Sequence, residues 1–129
     1  MLGTIPAYDQ KQIARTFLRL AATGKVSAAY ERFVGRGFVH HNPYFPADAD
    51  SLRKGMEAAA AKFPRTRIET QRVLEDGNLV AVHSRVRHQP KGADIAVVHL
   101  FRFRGARIVE LWDVAMEVPK RSPNRAGAF

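Results

Sequence analysis

At Arg65 the periodicity of this chain changes, and that change restricts the fold more than any other feature. Before it, apolar residues recur at three- and four-residue spacing; after it, they recur at every second position. The second half divides into the segments "RTRIETQRVLE", "LVAVHSRVRH", "IAVVHLFRFR" and "RIVELWDVAMEV", joined by "DGN", "QPKGAD" and "GA". Each connection suits a hairpin. A parallel crossover needs about a dozen residues or more, so these neighbours must run antiparallel. Helices followed by an antiparallel meander predict an α+β arrangement, with the helices on one face of a curved sheet.

The first half supplies three helices. "YDQKQIARTFLRLAATG" places Ile13, Phe17, Leu20 and Ala21 on one stripe, with Asp9 as N-cap and Gly24 as C-cap. "VSAAYERFVG" is shorter, capped by Ser27, with Ala29, Tyr30 and Phe33 turned to the core and Gly35 and Gly37 ending it. "PADADSLRKGMEAAAAKFP" offers Asp48, Asp50 and Ser51 as caps and Leu52, Met56, Ala59, Ala60 and Phe63 as its apolar residues, stopped by Pro64. A chain of 129 residues without internal repeat or linker fits one core, hence a single domain over 1–129.

The formal net charge of +9 first suggests nucleic acid. The basic residues are scattered, however, with no run of five and no recognisable nucleic-acid module. A solvated basic surface that steers small anions is the expectation, with no nucleic-acid partner. No apolar run is long enough to span a bilayer, the N-terminal segment lacks the pattern of a signal peptide, and there is no cysteine. These features point to a cytoplasmic protein that does not engage a membrane.

The third strand carries apolar residues on both sides. Ile95, Val97, His99, Phe101 and Phe103 share one face; Ala96, Val98, Leu100 and Arg102 share the other. Helices can cover only one, so the other calls for a second cover, most simply another copy of the chain. His99 among aromatics must find a hydrogen bond or lose several kcal/mol, as an order of magnitude. On the next strand Asp113 shares a face with Val109, Leu111 and Ala115, and Trp112 with Ile108, Glu110, Val114 and Met116. Counting outward from Gly105 and Ala106 brings His99 and Asp113 within a residue or two of cross-strand register. Such a pair is either a structural bond between strands or a coupled acid and base.

In "FVHHNPYF", Asn42 precedes Pro43 and is biased to extended geometry, which predicts a short strand. Strict alternation pairs His40 with Asn42 and opposes His41, unless the backbone turns before the proline; the sequence leaves both open. The five histidines show no HxH, HxxxH or HExxH spacing, so no metal site is expected. His83 lies on the side of Arg85 and Arg87, opposite Val80, Val82 and Val86, and His88 ends its strand in solvent. With no glycine-rich phosphate loop, no GxSxG and no cysteine nucleophile, no cofactor is expected either.

The order of three helices, "HNP", "FP", "VAVHSRV", "VVHLFRF", "GARIVELWDV" and "VP" resembles the SnoaL-like polyketide cyclase family within the nuclear transport factor 2-like superfamily. The resemblance implies a cone-shaped (cystatin-like) α+β fold in which a bent antiparallel sheet wraps one long and two shorter helices around an apolar pocket. It also implies a homodimer formed through the sheet. Cyclases of this kind close rings by intramolecular aldol condensation without metal or cofactor, using an aspartate. By motif position that aspartate is Asp113, with His99 beside it and His41 and Asn42 as the candidates from "HNP". Many relatives carry an acidic residue where His99 stands and histidine where Leu111 stands, which allows a different substrate. Phe17, Tyr30, Tyr44, Phe101 and Phe103 are the expected walls around a small apolar molecule. The expected chemistry is a lyase or isomerase step next to a carbonyl, the alternative a pocket that binds without catalysis.

Overall fold

The computed structural model describes residues 8–129. Helix α1 spans Gln10–Ala22. Asp9 accepts from the Gln12 backbone N–H at 2.8 Å, while the Gln12 side chain accepts from the Asp9 N–H at 2.9 Å, a reciprocal cap. Asp9→Ala therefore lowers stability by about 1 kcal/mol, read from a shift in the urea midpoint. Past its last turn, Gly24 takes φ +86°, which lets the chain reverse into α2, Val26–Phe33. Ser27 does not cap α2: the helix begins one residue earlier, and the Ser27 hydroxyl donates instead to Glu57 at 3.1 Å. The other end is tied down by Arg107, which donates to the carbonyls of Glu31 and Arg32 at 3.1 and 2.7 Å.

From α2 the backbone passes directly into β1, Val34–His40. Helix α3 follows at Ala49–Lys62, and of its three candidate caps Asp48 serves, taking the Ser51 N–H and hydroxyl at 2.9 and 2.8 Å. The helices have 13, 8 and 14 residues, so two are long and one short, unlike the single long helix the resemblance implied.

The meander is β2 (Arg67–Asp76), β3 (Leu79–Arg87), β4 (Ile95–Arg104) and β5 (Arg107–Glu117), all antiparallel. Gly77 and Gly105 open its two tight turns with φ +58° and +59°, the left-handed conformation that glycine adopts without steric cost. The five strands lie in the order β1-β5-β4-β3-β2. β1 joins β5 in parallel, a pairing the hairpin connections do not foretell, because the rest of the sheet and α3 lie between them in sequence.

Register is regular along β4 and β5 except at one point. Arg102 faces Glu110, yet Phe103 faces Ile108, so Val109 is an extra residue on β5. That bulge turns Ile108 into the core, fully buried, rather than to the side of Trp112 where strict alternation placed it. The core lies between the helices and the inner sheet face. Phe17 packs on Tyr30 and Phe101 with ring centroids 5.6 and 5.9 Å apart, and Phe38 extends the cluster at 6.2 Å from Tyr30. Burial raises the Tyr30 hydroxyl well above the ordinary phenol range, with Glu57 adding to the rise and Arg53 opposing it.

On the outer sheet face, the Phe129 ring lies over Arg85 at 4.2 Å and stacks on His83 at 5.9 Å, so the chain covers part of that face itself. Val114 and Met116 remain 72% and 59% exposed there. Among the described residues no helix is long and apolar enough to cross a membrane.

Candidate functional site

The end of β1 settles how "FVHHNPYF" is oriented. The backbone keeps its alternation up to Pro43. His40 turns inward, almost fully buried; its Nε2 lies 2.6 Å from the Pro46 carbonyl and its Nδ1 accepts the Asn42 backbone N–H at 3.1 Å. An Nε2–H tautomer satisfies both bonds, so His40 is a structural pin. Asn42 follows it inward, and its side-chain amide donates to Asp113 Oδ2 at 3.1 Å.

Asp113 itself sits on β5 directly opposite His99 on β4. The turn at Gly105 and Ala106 and the bulge at Val109 together fix this register. Directly opposed residues share a face, so carboxylate and imidazole stand on the same inner side. Asp113 is half-buried. His99 keeps some solvent contact as a residue, but its Nδ1 is sealed and has no hydrogen-bond partner. Burial pushes its pKa down to about 4, with the Asp113 charge opposing the fall. At neutral pH His99 is therefore an uncharged imidazole.

His99 reaches a cavity of about 190 Å³ between α1, α3 and the sheet. Leu18, Met56, Ile68 and Val86 provide much of its apolar wall, and Thr66 and His88 are its other polar residues. His88 Nδ1 lies 3.0 Å from the Thr66 hydroxyl, and its ring stacks on Phe63 at 4.6 Å. The structure thus takes His88 out of the solvent and puts it in the wall. The signal was present in the sequence: continued alternation from Val82 through Val86 points residue 88 inward.

The remaining expected site residues lie elsewhere. His41 is on the opposite face of the sheet from Asp113, stacked on Trp112 at 4.9 Å and 7°, with its Nε2 2.7 Å from Glu110 Oε2. Arg102 donates to the other Glu110 oxygen at 3.0 Å and lies over Trp112. The bonds from His41 and then Arg102 hold the Glu110 carboxyl below its usual range. Alternation carries His41 outward, so it does not join Asp113. Tyr44 is 86% exposed after Pro43 and walls nothing. Phe17, Tyr30, Phe101 and Phe103 fill the core rather than lining the cavity; Phe101 comes nearest to the imidazole, 6.2 Å between ring centroids. Among the described residues no three His, Asp or Glu side chains converge as a metal-ligand set.

The site therefore comprises a carboxylate oriented by an amide, a neutral imidazole opposite it, and an apolar cavity that the imidazole enters. Such a set can move a proton and hydrogen-bond an oxygen.

Comparison with known proteins follows the same lines. The family model described as SnoaL-like domain matches residues 14–111. No curated protein sequence matches the chain. Among solved structures, a cystatin-fold protein from Novosphingobium aromaticivorans superposes with a TM-score of 0.72 at 15% identity, covering 84% of this chain and 99% of its own. A candidate polyketide cyclase from Acidithiobacillus ferrooxidans gives 0.69 at 16% identity, covering 86% and 91%. AclR, a candidate hydroxylase from Streptomyces galilaeus, gives 0.68 at 21% identity, covering 81% and 86%. At these identities the likeness is one of fold, and a candidate cyclase and a candidate hydroxylase share it.

Proposed function

The chain belongs to the SnoaL-like domain family, and from that premise we propose a cofactor-independent lyase or isomerase acting next to a carbonyl on a small apolar metabolite. The observation that supports it is the Asp113 carboxylate, held by Asn42, directly across the ladder from a His99 imidazole whose Nδ1 has no partner. Asp113 removes a proton from the carbon beside the carbonyl, and the electron pair moves onto the carbonyl oxygen. Neutral His99 donates its ring N–H to that oxygen. In a ring closure the enolate carbon then attacks a second carbonyl in the same molecule, and the new alkoxide takes the proton back from Asp113. In an isomerisation the proton returns to a different carbon. Asn42 is a positioning residue: it fixes the carboxylate and leaves one oxygen for the substrate.

The test needs no native substrate. 2-Tetralone, a bicyclic ketone of suitable size, exchanges its acidic hydrogens slowly in deuterated buffer, and NMR follows their loss. The protein accelerates this exchange, and Asp113→Asn cuts the acceleration about 100-fold, the low end for a lost general base. Exchange undiminished in that variant removes Asp113 from the role.

A binding-only protein is the second reading, favoured by one observation: His99 lines the cavity but Asp113 does not. It predicts that 2-tetralone binds while exchange stays at the buffer rate, and that Asp113→Asn changes affinity alone. For assembly we propose a homodimer through the outer sheet face around Val114 and Met116, in the cytoplasm. Met116→Glu then yields a monomer by sedimentation, whereas a wild-type protein already monomeric at about 10⁻⁴ M rules the pairing out.

A further inference from the structure

Where the β2–β3 ladder ends, a cleft of about 520 Å³ is lined by Arg65, Thr66, Arg67, Arg87, Gln89 and Pro90. Arg67 and Arg87 are direct cross-strand partners, and like charges so placed repel. Asp94 answers Arg87 at 2.6 Å and also approaches Arg85 at 3.6 Å, while Glu69 lies 4.0 Å from Arg85. Among the described residues Arg65 and Arg67 have no acidic partner. The cleft thus presents two uncompensated guanidinium groups on a chain already carrying a formal +9.

The cleft adjoins the apolar cavity. Thr66 lines both spaces. Alternation sets the two spaces on opposite sides of the strand, Arg65 and Arg67 towards the cleft and Ile68 towards the cavity, so they meet only at the end of the ladder, around Thr66. The end of β3 repeats the pattern, with Arg87 on the cleft and His88 on the cavity. The Thr66–His88 hydrogen bond lies at this boundary.

We propose that cavity and cleft form one site for an amphipathic monoanion, an apolar ring or short chain in the cavity with its carboxylate on Arg65 and Arg67. Guanidinium groups pair with a carboxylate through two parallel N–H bonds. A monoanion is favoured over a phosphate dianion because Asp94 and Glu69 line, together with Arg67, an adjoining recess and repel a second charge brought near it. The inference rests on the cavity taking the apolar metabolite of the proposed function, and it narrows that metabolite to an acid.

Calorimetric titration with phenylacetate, 3-phenylpropionate and 4-phenylbutyrate, each against its neutral alcohol, tests it. At low salt the acid of matching length binds about tenfold more tightly than its alcohol, a preference that shrinks with added sodium chloride. The Arg65→Ala, Arg67→Ala double variant weakens acid binding about tenfold and so removes the preference; both side chains are exposed, so folding is not at stake. Equal affinity of acid and alcohol at all three lengths overturns the anion subsite while the cavity stands. Inorganic phosphate binding as tightly as the acids, undisplaced by the alcohols, makes the cleft a separate site and overturns the composite. No binding of any of the six compounds overturns the cavity as well.

Discussion

Phe17→Ala lowers the free energy of unfolding by about 3–5 kcal/mol, the range for deleting a fully buried aromatic ring. Phe17 has no exposed surface, and its ring joins its own helix α1 to Tyr30 of α2 and Phe101 of β4. The Phe101 contact is edge-on, 78° between planes, which places ring edge against ring face. The space left by the ring cannot close easily, because Phe101 is anchored in two sheet ladders and Tyr30 in a helix tied at its end by Arg107. Since domains of this size are stable by roughly 5–15 kcal/mol, the variant approaches unfolding at room temperature. Urea titration shows a lower midpoint with an unchanged slope. A loss below about 1 kcal/mol would mean that the three elements do not meet at this ring.

Acidification weakens the fold through His99. Its folded-state pKa is about 4, below the roughly 6.5 of an unfolded chain. Above pH ~6.5 both states are neutral at this site and nothing is lost. As the pH falls from there towards 4, the unfolded chain takes up a proton that the buried ring refuses. Stability then drops by about 1.4 kcal/mol per pH unit, on the order of 3 kcal/mol in all, and levels off below the folded value. The difference between wild type and His99→Gln across this window isolates the imidazole from other titrating groups. A flat difference profile would show that folding leaves the imidazole at its unfolded pKa.

Much of the meander was legible from residue spacing, because short turns leave little freedom of register. Gly105 and Ala106 form a two-residue turn, and counting back from it brought His99 and Asp113 close to the direct opposition the structure shows. What failed did so where a single residue departs from regular alternation, or where chemistry cannot be inferred from residue type. Ile108 read as an outward residue because nothing in "RIVELWDV" announces an extra position. His88 read as solvated because it ends a strand, although α3 supplies Phe63 to stack on it. Between His40 and His41 strict alternation was correct, and the motif resemblance favoured the one that faces away. Tyr44 apart, the expected aromatic walls were legible as buried but not as packed solid; whether a ring fills a core or walls a void depends on what stands opposite it. The arginine cleft was illegible for a related reason, since Arg65, Arg67 and Arg87 become neighbours only when β2 and β3 pair.

Val109 carries the one break in phase on β5. Ile108 and Leu111 both face the core although they are three positions apart, which a strand of strict period two forbids. Deleting that one residue would bring Ile108 and Leu111 to period-two spacing, leaving a regular ladder with Asp113 still opposite His99 and Glu110 and Trp112 still outward. Adding two residues at the neighbouring hairpin tip would lengthen the loop and leave every side chain on its present side. For this chain the place of an insertion or deletion decides the outcome: the extra residue can be lost without harm to the pairing, whereas one residue added or removed between Glu110 and Asp113 would part the carboxylate from the imidazole.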